Sequence, residues 1–334
     1  MRRPSVLCVS QIAGLRKALE VSGLAGPWLR FAEAPFDDSS ALEQCEVLLG
    51  EPAVCGKLVD RCPQLKWLQS TFAGCNQLLT DSERRDYTAT RLGGCFGPDM
   101  AEYAMLHILA LERKYEAQRE QQKAGEWLAA RSPTTGVRQG GAEYRRMSQL
   151  TLGVLGLGDI GLDIARSASH GLRMRVVGCR RDAAPRPTDA EAGVSSVFGM
   201  DALGDFFAAS DYIVSVLPST PSTRGLLDGG ALAACAPRRP ALINVGRGDL
   251  LSESTIVGAL DAGWLSAYVG DVFVPEPLPS SSPLWRHPKV VVTPHNAAVT
   301  QPEDVVEAFA ANLDRYEAGG VGALKNIFDW ENGY

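Results

Sequence analysis

Apolar positions along this chain fall into short unbroken runs, and stretches with helical spacing or turn residues separate them. In the first hundred residues the runs are "SVLCVS" (5–10), "WLRFAE" (28–33), "EVLLG" (46–50), "LKWLQS" (65–70) and "TATRL" (88–92). Short apolar runs of this kind read as strands. Alternation with helices makes the sheet mostly parallel and the class α/β. "GPDMAEYAMLHILALERKYEAQREQQKAGEW" (97–127) then predicts one long helix. Asp99 can cap its start, Ala101, Ala104, Met105, Ile108, Leu109 and Leu111 give it a broad apolar face, and Gly125 marks its end. The Gly- and Arg-rich stretch 131–147 reads as an exposed connection.

A second series follows: "LTLGVLG" (150–156), "RMRVVGC" (173–179), "DYIVSVLP" (211–218), "ALINVG" (241–246), "LSAYVGDVF" (265–273) and "KVVVTP" (289–294). Helices at 159–169, 229–235 and 252–262 fit between them. Six strands with crossover helices have the rhythm of a Rossmann-type doubly wound nucleotide domain. The remaining helix, about 302–318, is expected to return to the first domain. The expected division is 1–98 with 299–334, around a nucleotide domain at 99–298.

Length agrees with two domains, since 334 residues exceed one ordinary core. No apolar run approaches the ~20 residues of a membrane helix, so no membrane partner is expected. The net charge of -6, with Lys and Arg scattered, argues against nucleic acid. The eight cysteines form no CxxC pair, and no histidine stands at zinc-finger spacing. They read as reduced thiols, with no metal site. Together with an N-terminus that lacks a presequence pattern, they point to the cytoplasm.

"LTLGVLGLGDIG" places Gly156, Gly158 and Gly161 between a strand and an amphipathic helix. In that context Gly156 permits a tight turn, Gly158 lets a pyrophosphate approach the backbone, and Gly161 lets helix and strand pack closely. An acid that would bind a ribose 2′-OH is expected at the end of the next strand. "VVGCRRD" puts Arg180 and Arg181 there instead, with Asp182 just beyond. Two arginines suit the 2′-phosphate of NADP(H), with NAD(H) as the alternative.

Three later strand ends carry an arginine, a carboxylate and a histidine. "ALINVGRGDLL" sets Arg247 between two glycines. A guanidinium there can take a carboxylate bidentately and polarise an adjacent carbonyl. "YVGDVFVPEPLP" offers Asp271 and Glu276, with Pro275 and Pro277 stiffening the backbone around Glu276. "VVVTPHNAAVT" ends a strand at His295. A carboxylate beside an imidazole favours the protonated ring, and an imidazolium can protonate a carbonyl oxygen.

With "LPSTPSTRGLL", "INVGRG", "DVFVPEPLP", "SPLWRHP" and "TPHNAAVT", the chain resembles the D-isomer-specific 2-hydroxyacid dehydrogenases, and within them the glyoxylate/hydroxypyruvate reductases of the bacterial A type. The resemblance implies that Arg247, Glu276 and His295 are catalytic. It puts Asp271 on the nicotinamide carboxamide, and further cofactor contacts at Leu157, Asp159, Ile160, Leu217, Pro218, Thr223, Val245 and Gly246. It has the backbone N–H groups of Ala73 and Gly74, in "STFAGCNQLL", hold the substrate carboxylate together with Arg247 and His295. It also implies a flavodoxin-like, discontinuous substrate domain and a homodimer formed through the nucleotide domain. Two departures stand out: Asn76 where relatives often have Asp, and Asn296-Ala297-Ala298 where many have glycines. Trp67, Phe72, Trp127 and Trp285 are candidates to shape the substrate pocket. Two functions fit: an NADP-dependent reductase of small 2-oxo acids, and a non-catalytic nucleotide-sensing interaction protein of the same fold.

Overall fold

The computed structural model describes residues 3–33, 35, 38–126 and 144–334. The chain forms two compact units, Met1–Phe96 with Pro218–Thr220 and Val299–Tyr334, and Gly97–Leu217 with Pro221–Ala298. The short stretch Pro218–Thr220, inside the range expected for the nucleotide domain, thus belongs with the first unit.

The first unit has five parallel strands: β1 (Val6–Val9), β2 (Leu29–Phe31), β3 (Val47–Gly50), β4 (Trp67–Ser70) and β5 (Thr88–Thr90). Their order is β2-β1-β3-β4-β5, the flavodoxin-like arrangement. The C-terminal helix Pro302–Gly319 packs on this sheet. Its Phe309 and Tyr316 each stack on Trp67 with ring centroids 5.5 Å apart. Trp67 is fully buried and its Nε1 donates to Thr90 Oγ1 at 2.8 Å. This tryptophan, a candidate pocket residue, is therefore a core residue whose one polar atom is satisfied inside.

The second unit has seven parallel strands: β6 (Thr151–Leu155), β7 (Arg175–Cys179), β8 (Val194–Phe198), β9 (Tyr212–Ser215), β10 (Ala241–Asn244), β11 (Ala267–Gly270) and β12 (Val290–Val292). The order is β12-β11-β10-β9-β6-β7-β8. Successive side chains enter opposite cores: Leu152, Val154, Val214 and Ile243 one, Leu155, Ile213, Leu242 and Tyr268 the other. Both faces are covered, which explains the unbroken apolar runs. The strand order reverses between β6 and β9, and ligands of such sheets bind beyond the carboxyl ends at that point.

Several expectations are corrected. The sheet has seven strands because β8, with Ser195 and Ser196 on an edge beside a β-bulge, lacks an apolar run. The long helix is two helices, Gly97–Glu112 and Tyr115–Ala124. They break at Lys114, whose φ is 52°, where the apolar stripe ends, and the second buries no residue. Gly125, at φ 70°, does end it. Asp99 lies inside the first turn rather than at the cap. The expected helix 159–169 is Asp159–Arg166 followed by a π-turn, and 229–235 is a 3₁₀ turn at Ala231–Cys235. The segment 252–262 is helical over Glu253–Asp261, capped by Ser252. Two further short helices, Pro187–Glu191 and Leu203–Ala209, flank β8. Trp127 and residues 131–143 of the expected connection lie outside the described residues. All eight cysteines are unbridged, and seven are buried. Among the described residues no helix is long and apolar enough to cross a membrane.

Candidate active site

Beyond β6 the chain turns through Gly156, with φ at 106°, a conformation side-chain-bearing residues rarely adopt. Its N–H donates to the Cys179 carbonyl at 2.8 Å, which ties the loop to the end of β7. A Cβ on Gly161 would sit 2.0 Å from the Gly156 carbonyl oxygen, so only glycine lets helix and loop approach this closely. A Cβ on Gly158 would meet nothing within 4 Å. Gly158 is exposed, and the helix Asp159–Arg166 starts just after it with its first N–H groups at that open face. This is what a bound pyrophosphate requires: room at the second glycine, aimed amides and a rigid frame. Leu157 is buried and fills the space over Gly178, so any contact it makes with a ligand is through its backbone. Asp159 is exposed and Ile160 half-buried.

At the end of β10, Gly246 and Gly248 both answer to close backbone approach. Added Cβ atoms would lie 2.6 Å from the Leu217 carbonyl and 2.3 Å from Phe273 C. Arg247 is held between them: Asn244 Nδ2 donates to its carbonyl at 2.9 Å, and its Nη1 donates to the Gly246 carbonyl at 2.7 Å. The side chain is half-buried. Val245, Leu217 and Thr223 are buried close to these strand ends. Pro218, expected at the cofactor, is half-buried and grouped with the first unit.

Glu276 and His295 meet. Glu276 Oε2 lies 2.8 Å from His295 Nδ1, and Oε1 accepts from the Phe273 N–H at 2.8 Å. The carboxylate is thereby aimed, and it fixes the ring so that Nε2 is the nitrogen left for proton transfer. The histidine is half exposed, at 53% of its side chain, so an incoming ligand can reach it.

Asp271, expected on the nicotinamide carboxamide, lies beneath the histidine turn. It is 1% exposed, and its carboxylate accepts from Thr293 Oγ1 at 2.6 Å and from the N–H groups of Asn296 and Ala297 at 2.9 Å each. It organises the histidine turn from below. The same bonds give Ala297 a buried seat.

Arg180, expected at the 2′-phosphate, is 7% exposed and paired with Asp189, Nη1 to Oδ1 at 2.6 Å and Nη2 to Oδ2 at 2.8 Å. Its Nε donates to the Asp182 carbonyl at 2.7 Å, and Nη2 also donates to the Ala184 carbonyl. A guanidinium committed to a buried bidentate pair braces the loop after β7. Arg181 is the exposed cation of the pair.

In the first unit, Ala73 and Gly74 lie half-buried in the bend after β4. Ser70 Oγ accepts from the Phe72 N–H at 2.9 Å and steadies that bend. Asn76 Nδ2 donates to the carbonyls of Ser219 and Gly333 at 3.2 Å each. An aspartate there would set a carboxylate against two carbonyl oxygens. Of the other aromatic candidates, Phe72 is 40% exposed, and Trp285 is exposed with Nε1 donating to the Pro279 carbonyl.

Tyr103 escaped the sequence reading. Its hydroxyl is 2.7 Å from Thr293 Oγ1, across 190 residues of chain. No local pattern could have found it, because a helix that needs an apolar face accepts a tyrosine without comment.

A glycine loop thus stands at the switch point of a parallel sheet, with an arginine, a carboxylate and a histidine on neighbouring strand ends. Comparison with known proteins gives the family. Residues 105–297 match the model described as D-isomer specific 2-hydroxyacid dehydrogenase, NAD binding domain. The chain is 34% identical over 266 residues to glyoxylate/hydroxypyruvate reductase A of Serratia proteamaculans (strain 568), covering 77% of this chain and 78% of that protein. It is similar to a D-isomer specific 2-hydroxyacid dehydrogenase from Xanthobacter autotrophicus Py2, solved with NADPH and MES (30% identity, TM-score 0.84, all of both chains). It is also similar to the NADPH-dependent glyoxylate/hydroxypyruvate reductase of Sinorhizobium meliloti, solved with NADP and sulfate (26% identity, TM-score 0.82, all of both chains). The chain belongs to the D-isomer-specific 2-hydroxyacid dehydrogenase family and carries its NAD-binding domain.

Proposed function

We propose that this protein is an NADPH-preferring reductase of small 2-oxo acids, glyoxylate and hydroxypyruvate among them, with His295 as general acid. The observation that carries the reading is the 2.8 Å contact between Glu276 and His295 Nδ1 at a strand end of the nucleotide sheet. The names of the Serratia and Sinorhizobium relatives support the substrate class, and the NADP and NADPH complexes support the cofactor.

When bound, the reduced nicotinamide supplies a hydride to the carbonyl carbon. The Gly156–Gly161 loop and the helix after it would hold the pyrophosphate. Arg247 takes the substrate carboxylate and polarises the carbonyl. His295 gives a proton from Nε2 to the carbonyl oxygen, and the Glu276 carboxylate stabilises the imidazolium that does so. That proton stays on the product hydroxyl, and His295 takes another from solvent. Arg181 meets the 2′-phosphate. A homodimer in the cytoplasm follows from the resemblance to the family, and sedimentation of the purified chain tests the dimer.

The decisive experiment mixes purified protein, NADPH and each of a panel of 2-oxo acids, following NADPH absorbance. Turnover of glyoxylate or hydroxypyruvate is expected. Binding of NADPH without turnover of any 2-oxo acid would replace this reading with a nucleotide-sensing one.

A further inference from the structure

We propose that Tyr103 and Thr293 are positioning residues: through Asp271 they hold the turn that presents the His295 imidazole. The proposal rests on the reading of His295 as the general acid.

His295 is left-handed, at φ 52°. A residue with a side chain occupies that region only when its surroundings impose it. Here one residue does so. The Asp271 carbonyl accepts from the His295 N–H at 2.9 Å. Its carboxylate takes Thr293 on one side of the histidine and Asn296 and Ala297 on the other. Four bonds to a single buried aspartate therefore bracket the imidazole-bearing residue.

The proton order along this relay is fixed by chemistry. A carboxylate only accepts, so the single Thr293 hydroxyl proton points at Asp271 Oδ1. The Thr293 oxygen must then accept, and Tyr103 donates to it. Burial pushes the Tyr103 phenol up to about 12, so it remains a donor wherever the enzyme works. The ring is held in turn by the His107 imidazole, with centroids 4.4 Å apart. Tyr103 sits on the helix Gly97–Glu112, which packs against the glycine-loop helix: a Cβ at Gly97 would strike the Asp163 carboxylate. The relay thus joins the histidine turn to the helix beside the cofactor loop.

The test compares Thr293→Val, Thr293→Ser and Tyr103→Phe with the parent, using the best 2-oxo acid substrate and NADPH. Val keeps the shape and removes the hydroxyl, so kcat should fall on the order of tenfold to a hundredfold, the cost of a misplaced catalytic group. KM for NADPH should stay nearly constant and the acid limb of the kcat–pH profile should move. Ser should restore kcat and profile, and Tyr103→Phe should fall between. If Thr293→Val loses its cooperative melting transition, Tyr103→Phe carries the test. The chain has four histidines, so the His295 ring proton can be assigned by NMR through His295→Ala and titrated without cofactor. Its titration should shift in Thr293→Val and return in Thr293→Ser. Parent-like kcat and titration in both Thr293→Val and Tyr103→Phe, or Ser as impaired as Val, would overturn the proposal. An inactive His295→Ala beside unaffected relay variants removes the positioning role alone, whereas an active His295→Ala removes the acid reading and the relay with it.

Discussion

The loop after β6 and the turn after β12 end strands of one sheet, yet they are built by opposite means. Gly156–Gly161 is shaped by what its residues lack: a positive φ at Gly156, a carbonyl 2.0 Å from where a Gly161 Cβ would be, open space at Gly158. The His295 turn also needs a positive φ, but it reaches it with a side-chain-bearing residue held by Asp271. A backbone-built site offers generic amides to a generic phosphate. A side-chain-built site holds one imidazole in one pose, which proton transfer demands. Substitutions should therefore act differently in the two places.

The largest effect is expected at the histidine. His295→Ala should lower kcat by ~10²–10⁴-fold while NADPH affinity, measured by fluorescence titration, stays near the parent value. Loss of NADPH binding in that variant would mean that the turn serves the cofactor as well, and the contrast would break.

At the glycine loop the paired variants Gly158→Ala and Gly161→Ala sharpen the comparison. Gly161→Ala drives a methyl into the Gly156 carbonyl and should destabilise the unit by about 1–3 kcal/mol, as overpacking does. Gly158→Ala meets only open space, so its melting temperature should hold while NADPH affinity falls, because the methyl takes the room the pyrophosphate needs. Equal melting losses in the two would show that Gly158 is a structural glycine only.

This difference also governs what the sequence could disclose. Glycine requirements are local, so the loop's shape was legible in six residues. The strand ends bearing Arg247, Glu276 and His295 were legible because apolar runs stop there. The inward commitments were not. Asp271 reads the same whether it faces a ligand or three residues of a later turn. Nothing in "VVGCRRD" announces that Asp189, nine residues on, pairs with Arg180. Tyr103 lies 190 residues from its partner. In the fold, the strand with the weakest apolar run, β8, went unseen for the same reason: its serines lie at an edge, where burial does not dictate composition.

The Arg180–Asp189 pair gives a third prediction. Arg180 beside Asp189 holds that carboxyl below its ordinary value, against the opposing pull of burial. A depressed folded value means stability that is present above the ordinary aspartate range and lost as pH falls through the lowered value. Asp189→Ala leaves a buried guanidinium unpaired and should cost about 3 kcal/mol at neutral pH. Denaturant unfolding should show the gap between parent and variant closing in acid, as the parent's own carboxyl is protonated. A gap that stays constant down to strongly acidic pH would mean that the side chain matters for packing rather than charge.

The smallest effect concerns cofactor choice and separates two adjacent arginines. Arg180 is buried and braced, whereas Arg181 is exposed at the same strand end. If the 2′-phosphate of NADPH rests on Arg181, Arg181→Ala should lower kcat/KM for NADPH about tenfold and leave NADH nearly untouched, since one solvent-exposed charge-assisted contact is worth roughly that factor. Arg180→Ala should act the other way round: it removes the brace, lowers the melting temperature and weakens both cofactors together, because the loop that presents Arg181 loses its anchor to Asp189. The comparison needs only four kcat/KM values per variant set and a melting curve. A change in the NADPH-to-NADH ratio confined to Arg180→Ala would return the phosphate to the inner arginine. It would also mean that the Asp189 pair opens when the cofactor binds.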